Sequence, residues 1–122
     1  MAADQGVIEA FVAAWHARDV ADLRELLERC WADDGVLTLP DGAYAGRDAV
    51  AAQIVRVTEQ WSAGARVQIS AVEEHHGWLR YRWVISAPNG PIFAQGLHVG
   101  ERAADGRLRR IVAFYGMPPQ VD

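Results

Sequence analysis

The sequence predicts an α+β domain, with three helices packed on one side of a curved antiparallel sheet. Three observations carry that prediction. Apolar residues recur at helical spacing in the first half of the chain, the period switches to two after Gly64, and short Gly-, Pro- and Asp-rich turns separate the later runs. Helices that come first and strands that follow are segregated rather than alternating, which is the α+β arrangement.

Residues 4–17 place Val7, Ile8, Phe11, Val12 and Trp15 on one helical stripe. Asp19 is positioned to cap a second helix over 20–31, with Asp22 in its first turn and Leu23, Leu26, Leu27 and Cys30 inward. Asp33-Asp34-Gly35 is the expected stop. Val36–Leu39 reads as a short strand and Pro40-Asp41-Gly42 as a turn. Gly46-Arg47-Asp48 enters a third helix, Arg47–Trp61, with Val50, Ile54, Val57 and Trp61 on its inner stripe.

From Ala65 to Ala71 apolar and polar residues alternate, the mark of a half-buried strand. His75-His76-Gly77 turns the chain into Trp78–Ser86, where Leu79, Tyr81, Trp83 and Ile85 oppose Trp78, Arg80 and Arg82. After the turn Pro88-Asn89-Gly90-Pro91, the runs Phe93–Arg102 and Leu108–Tyr115 flank Ala103-Ala104-Asp105-Gly106 as a last hairpin.

The chain has 122 residues, enough for one domain, and its net charge of −4 comes with no basic stripe, so no nucleic-acid partner is expected. All 12 basic residues are arginine, which rules out Schiff-base chemistry and a P-loop lysine. A single cysteine, Cys30, allows no intrachain disulfide and sits on a core stripe. The opening Met1-Ala2-Ala3-Asp4 lacks a signal peptide's basic start, and no window reaches the ~18 apolar residues of a membrane span, so a cytoplasmic location without membrane contact is expected. No glycine-rich phosphate loop, nucleophile elbow or Cys-x-x-Cys pair occurs, and the reading includes no cofactor. Glu73, Glu74, His75 and His76 alternate across a strand and cannot converge on one ion, so no metal is expected either.

The last hairpin carries the functional signal. Its inner face presents Gly96, His98 and Gly100 beside Ile111, Ala113 and Tyr115. A lone imidazole among glycines and apolar residues, near a phenol, reads as a pocket wall. Imidazole titrates near neutrality, which suits acid–base work, and the two glycines leave room beside it. Packing is the competing role for both polar residues. Phe11, Trp15, Trp31, Trp61, Tyr81 and Trp83 supply an apolar wall. The opposite face of the hairpin, Leu97, Val99, Val112 and Phe114, is also apolar and points to a homodimer through the outer sheet face.

Four stretches carry a family resemblance: Phe11-Val12-Ala13-Ala14-Trp15-His16-Ala17-Arg18-Asp19, Trp31-Ala32-Asp33-Asp34-Gly35, Gly46-Arg47-Asp48-Ala49, and Asp105-Gly106-Arg107-Leu108 with Phe114-Tyr115-Gly116. In this order and spacing the chain resembles the nuclear transport factor 2-like superfamily, in particular its SnoaL-like and ketosteroid-isomerase-like members. The resemblance implies a cone-shaped half-barrel with the three helices on its concave side, around an apolar cavity for a small hydrophobic ligand. Ketosteroid isomerases use an aspartate base with a tyrosine and a protonated aspartic acid, a system that serves as a standard example of pKa tuning. By position those fall on Leu39, Phe11 and His98, so that mechanism is not expected. An aromatic residue of the isomerase cavity corresponds to Tyr115. No Asp-Arg-Asp relay of the similar epoxide hydrolases can be placed.

Two functions follow. One is a cofactor-independent isomerase, cyclase, dehydratase or hydrolase in which His98 is the acid–base group and Tyr115 a hydrogen-bond donor. Phe11, Trp15, Leu39, Trp83, Gly96, Ile111 and Ala113 would then form the substrate wall. The other is a non-catalytic carrier or sensor using the same cavity, favoured by the loss of the base at Leu39 and the tyrosine at Phe11. A protein-interaction module is a lesser third.

Overall fold

A computed structural model describes residues 2–121, with side chains described from Gly6 to Val121. Three helices, α1 (Ala2–Ala14), α2 (Val20–Cys30) and α3 (Arg47–Thr58), accompany seven strands. The strands are β1 (Trp31–Leu39), β2 (Gly42–Ala45), β3 (Arg66–Ile69), β4 (Glu73–His75), β5 (Trp78–Ser86), β6 (Ile92–Arg102) and β7 (Leu108–Tyr115). No helix among the described residues is long and apolar enough to cross a membrane.

Local chemistry sets the helix ends. The Asp19 carboxylate accepts from the Asp22 amide at 2.8 Å, and Asp22 accepts from the Arg18 amide at 3.2 Å, a reciprocal cap that starts α2 as expected. After Ala14 the chain continues in single turns, with Trp15, His16 and Ala17 amides bonding three residues back. The third helix likewise ends at Thr58, and Gln60 and Trp61 close in turns of the same kind.

Asp33-Asp34-Gly35 behaves differently from its expected role as a helix stop. The chain passes from α2 straight into β1 at Trp31, because Trp31 is fully buried and extended backbone puts it there. Residues 32–35 form a bulge: Trp31 pairs with Leu108, whereas Val36 pairs with Arg110. Gly35 folds over the Trp31 indole so closely that a Cβ would lie 2.5 Å from its Nε1. Arg47, the first residue of α3, pins the bulge by donating to the Trp31 carbonyl at 2.8 Å and to the Asp33 carboxylate.

The sheet runs β2-β1-β7-β6-β5-β3, with β4 also on β5, and it is mixed, because β1 and β7 are parallel. The expected antiparallel pairing holds elsewhere. The β1–β7 pair joins strands from opposite ends of the sequence, so no tight turn dictates their direction. Two short strands escaped the sequence reading. β2 follows the Pro40-Asp41 turn, which Tyr44 braces by donating to Asp41 at 3.1 Å, and β4 precedes the two-residue turn at His76 and Gly77, both at positive φ.

The helices cover one sheet face and bury Phe11, Leu23, Leu27, Val50 and Ile54 against Leu37, Leu79, Tyr81, Trp83, Leu108 and Ile111. On the other face Leu97, Val99 and Val112 are half-buried and Phe114 is exposed, interleaved with Arg80, Arg82 and Arg110.

Candidate functional site

The β6–β7 register confirms the inner face read from alternation. Gly96 stands opposite Tyr115, His98 opposite Ala113 and Gly100 opposite Ile111. On the other side β5 sets Tyr81 opposite His98 and Trp83 opposite Gly96. His98 thus lies at the centre of a three-strand row.

A hollow opens beside it. Its walls are Phe11 and Val12 of α1 with Trp15, Val57 of α3 with Trp61, Leu39 of β1, Val67 and Ile69 of β3, Tyr81, Trp83 and Ile85 of β5, His98, and Tyr115. No charged side chain is among them. The enclosed part of the hollow is narrow, with room for about two waters, but it opens to solvent, and the empty volume out through that opening is about 440 Å³.

Of the residues chosen from sequence, Phe11, Trp15, Leu39, Trp83, His98 and Tyr115 meet at this hollow. Gly96, Ile111 and Ala113 do not line it. Ile111 and Ala113 are buried in the core. Gly96 was expected to leave room for a ligand, but the Trp83 indole fills that room: a Cβ on Gly96 would lie 2.6 Å from Trp83 Cζ2 and collide with the Phe114 carbonyl. Gly100 is similarly filled, by Ile111 Cδ1 at 2.6 Å and the Arg110 carbonyl at 2.7 Å.

The partner of His98 is Tyr81 rather than Tyr115. The Tyr81 hydroxyl and His98 Nδ1 are 2.8 Å apart, and both groups are buried. Phe11 and Trp83 flank the imidazole, with ring centroids at 6.1 Å and 5.6 Å. Tyr115 is 54% exposed and packs edge-on against Trp83 at 5.0 Å, at the open end. Sequence reading had placed Tyr81 in the wall but not beside His98. The alternation of β5 and β6 put both inward but did not show that they are bonded.

Burial governs the electrostatics. It pulls the His98 imidazole from 6.5 down to about 3, so the ring is neutral across the physiological range. Burial, with the nearby Cys30 thiol second, pushes the Tyr81 phenol well above its ordinary range. Burial raises Tyr115 too, and the Asp41 carboxylate adds to it. Cys30 is pushed up to about 12 by burial, which keeps it an unreactive thiol.

The wall also carries polar atoms without partners. The indole N–H groups of Trp15 and Trp83 are buried and make no hydrogen bond among the described residues. Each such donor costs about 1–3 kcal/mol if nothing meets it. His16 ties the hollow's edge together. Its Nδ1 bonds the Val12 carbonyl at 3.1 Å and its Nε2 accepts from the Val67 amide at 2.9 Å, joining α1 to β3. Among the described residues no group of three or more His, Cys, Asp or Glu side chains could hold a metal. The His75 and His76 rings meet each other, Nδ1 to Nδ1 at 3.0 Å, at an exposed turn.

The architecture is shared with solved proteins. A protein from Agrobacterium tumefaciens, provisionally named an isomerase of the SnoaL-like family, superposes with a TM-score of 0.85 at 24% identity, over 96% of this chain and 100% of that one. A protein of ketosteroid isomerase-like fold from Catenulispora acidiphila, in complex with trimethylamine, gives 0.71 at 15% identity, over 91% and 85%. A provisionally named polyketide cyclase from Sinorhizobium meliloti gives 0.67 at 17%, over 88% and 93%. No curated protein matches the chain. The SnoaL-like domain pattern matches residues 8–111, and with the sheet, helices and hollow in place the chain belongs to the SnoaL-like domain family.

Proposed function

We propose that this chain binds a small, uncharged, largely apolar molecule in the hollow, against the neutral imidazole of His98. The observation that carries this reading is the composition of the wall: aromatic and aliphatic side chains, no charge, and one buried imidazole at the centre. A charged ligand group entering there would lose its hydration with no counter-ion to replace it. Apolar sites with a few placed polar groups suit molecules of the opposite kind.

Isomerase, cyclase, dehydratase or hydrolase chemistry by His98 is less well supported. With its imidazole near 3, His98 is a poor proton acceptor at neutral pH, and no carboxylate lines the hollow to take that part. The provisional isomerase and cyclase names belong to the neighbouring proteins. Binding without turnover fits this wall better.

N-phenyl-1-naphthylamine, a neutral fluorescent probe, tests the reading. It should bind the wild type with its emission enhanced, and Val57→Trp, which fills the hollow from a half-buried position, should weaken it by about tenfold or more. Unaltered binding by a folded Val57→Trp protein would move the site elsewhere.

A further inference from the structure

We infer that Tyr81 fixes His98 in one tautomer, with its proton on Nε2, and so makes the hollow a receptor for a neutral ligand that presents a hydrogen-bond acceptor such as a ketone, quinone or lactone carbonyl. The inference rests on the binding reading above and names the ligand class for that site.

The argument is one of proton placement. The Tyr81 hydroxyl is buried, and its sole hydrogen bond among the described residues is the one to His98 Nδ1. A phenol carries one proton, and a buried O–H that donates to nothing is penalised. If Nδ1 donated to the hydroxyl oxygen, the hydroxyl proton would have no acceptor. The hydroxyl therefore donates, and Nδ1 accepts. The acidities agree, since phenol is the stronger donor and the imidazole nitrogen the stronger acceptor. Buried away from charge, the ring is neutral, so its one proton sits on Nε2. No described residue bonds to Nε2.

Nε2 is also the donor a ligand can reach: the unpaired indole N–H groups of Trp15 and Trp83 are fully enclosed, whereas Nε2 is not among the enclosed unpaired atoms. No carboxylate or amide side chain lines the hollow to accept from it. A carbonyl oxygen offers a lone pair and no charge, and it would satisfy the donor that the fold leaves unmet. A hydrocarbon would leave it unmet, and a carboxylate would bring a charge the wall cannot neutralise. Tyr81 touches no ligand in this scheme; it is a positioning residue.

Two measurements test it. Long-range proton–nitrogen NMR on uniformly labelled protein reads the His98 tautomer, with His98→Gln identifying the signals. The wild type should show a protonated Nε2 and a bare Nδ1, and Tyr81→Phe, which keeps the ring volume, should show a tautomer mixture. Binding of 1-indanone is then compared with that of indane, nearly the same shape without the oxygen, by quenching of tryptophan emission. The ketone should bind at least about fivefold tighter to the wild type, the worth of one ordinary hydrogen bond, and the ratio should fall by about twofold in Tyr81→Phe, the loss an even tautomer mixture imposes. A protonated Nδ1 in the wild type, or equal binding of both probes, overturns the inference and leaves the binding reading standing. If neither probe binds, the binding reading falls and this inference falls with it.

Discussion

The two ends of the hollow are built from the same residue types and behave differently. At the closed end Phe11 stacks on Trp31 with centroids 5.4 Å apart, and both are fully buried beside Leu37 and Ile111. At the mouth Trp61 stacks on Trp15 at 6.0 Å and meets Phe93 edge-on at 6.5 Å, yet Phe93 is 47% exposed and Tyr115 more so. Aromatic content therefore does not distinguish core from site. What differs is what lies behind each ring. The closed end is backed by α2, β1 and β7, whereas the rings of the mouth come from a turn after α3, the start of β6 and the last residue of β7.

The largest effect that could break this contrast is at the closed end. Phe11→Ala should cost about 3–5 kcal/mol in urea denaturation, because it leaves a cavity against Trp31 that the surrounding elements cannot close. A loss below about 1.5 kcal/mol would mean the closed end is as yielding as the mouth.

Between the ends, His98 gives a dependence on pH. The unfolded chain protonates this histidine near 6.5 and the folded chain only near 3. Between those values the unfolded state holds the extra proton, so stability falls as the pH drops, by about 1.4 kcal/mol per unit. Above 6.5 neither state is protonated and the effect disappears. His98→Gln, which can still accept from Tyr81, should flatten that slope between pH 6 and 4 relative to the wild type. Equal slopes in the two proteins would place the imidazole in water.

At the mouth, Trp61→Ala should cost about 1 kcal/mol, the scale of its ring contacts with Trp15 and Phe93. Its binding of N-phenyl-1-naphthylamine should change more than its stability does. A stability loss matching that of Phe11→Ala would make Trp61 part of the core.

Much of this site was legible from residue order. Alternation put His98, Tyr81 and Trp83 on inward faces, and it gave the inner face of the last hairpin even though β6–β7 carries a bulge between Glu101 and Arg102. The opposition of Tyr81 and His98 was legible in principle: counted back symmetrically from Pro88-Asn89-Gly90-Pro91, Tyr81 falls opposite His98, and the bulge at Ser86 and Ile92 is confined to the turn end. Strand register alone did not show that the two side chains are buried together and bonded. The glycines mislead: absence of a side chain reads as space for a ligand, and at Gly96 the Trp83 indole and the β7 backbone occupy that space.

The sequence alone determined whatever depends on neighbours along the chain: the helical stripes, the Asp19 cap, and which side chains of each strand share a face. These are set within a few residues by backbone geometry and short-range hydrogen bonds. Only the tertiary structure decided the parallel contact of β1 with β7, the bulge that Arg47 pins, and the isolation of His98 with Tyr81 in a charge-free wall. Those depend on which distant segments meet, and the shift in the imidazole's acidity is the physical consequence of that meeting.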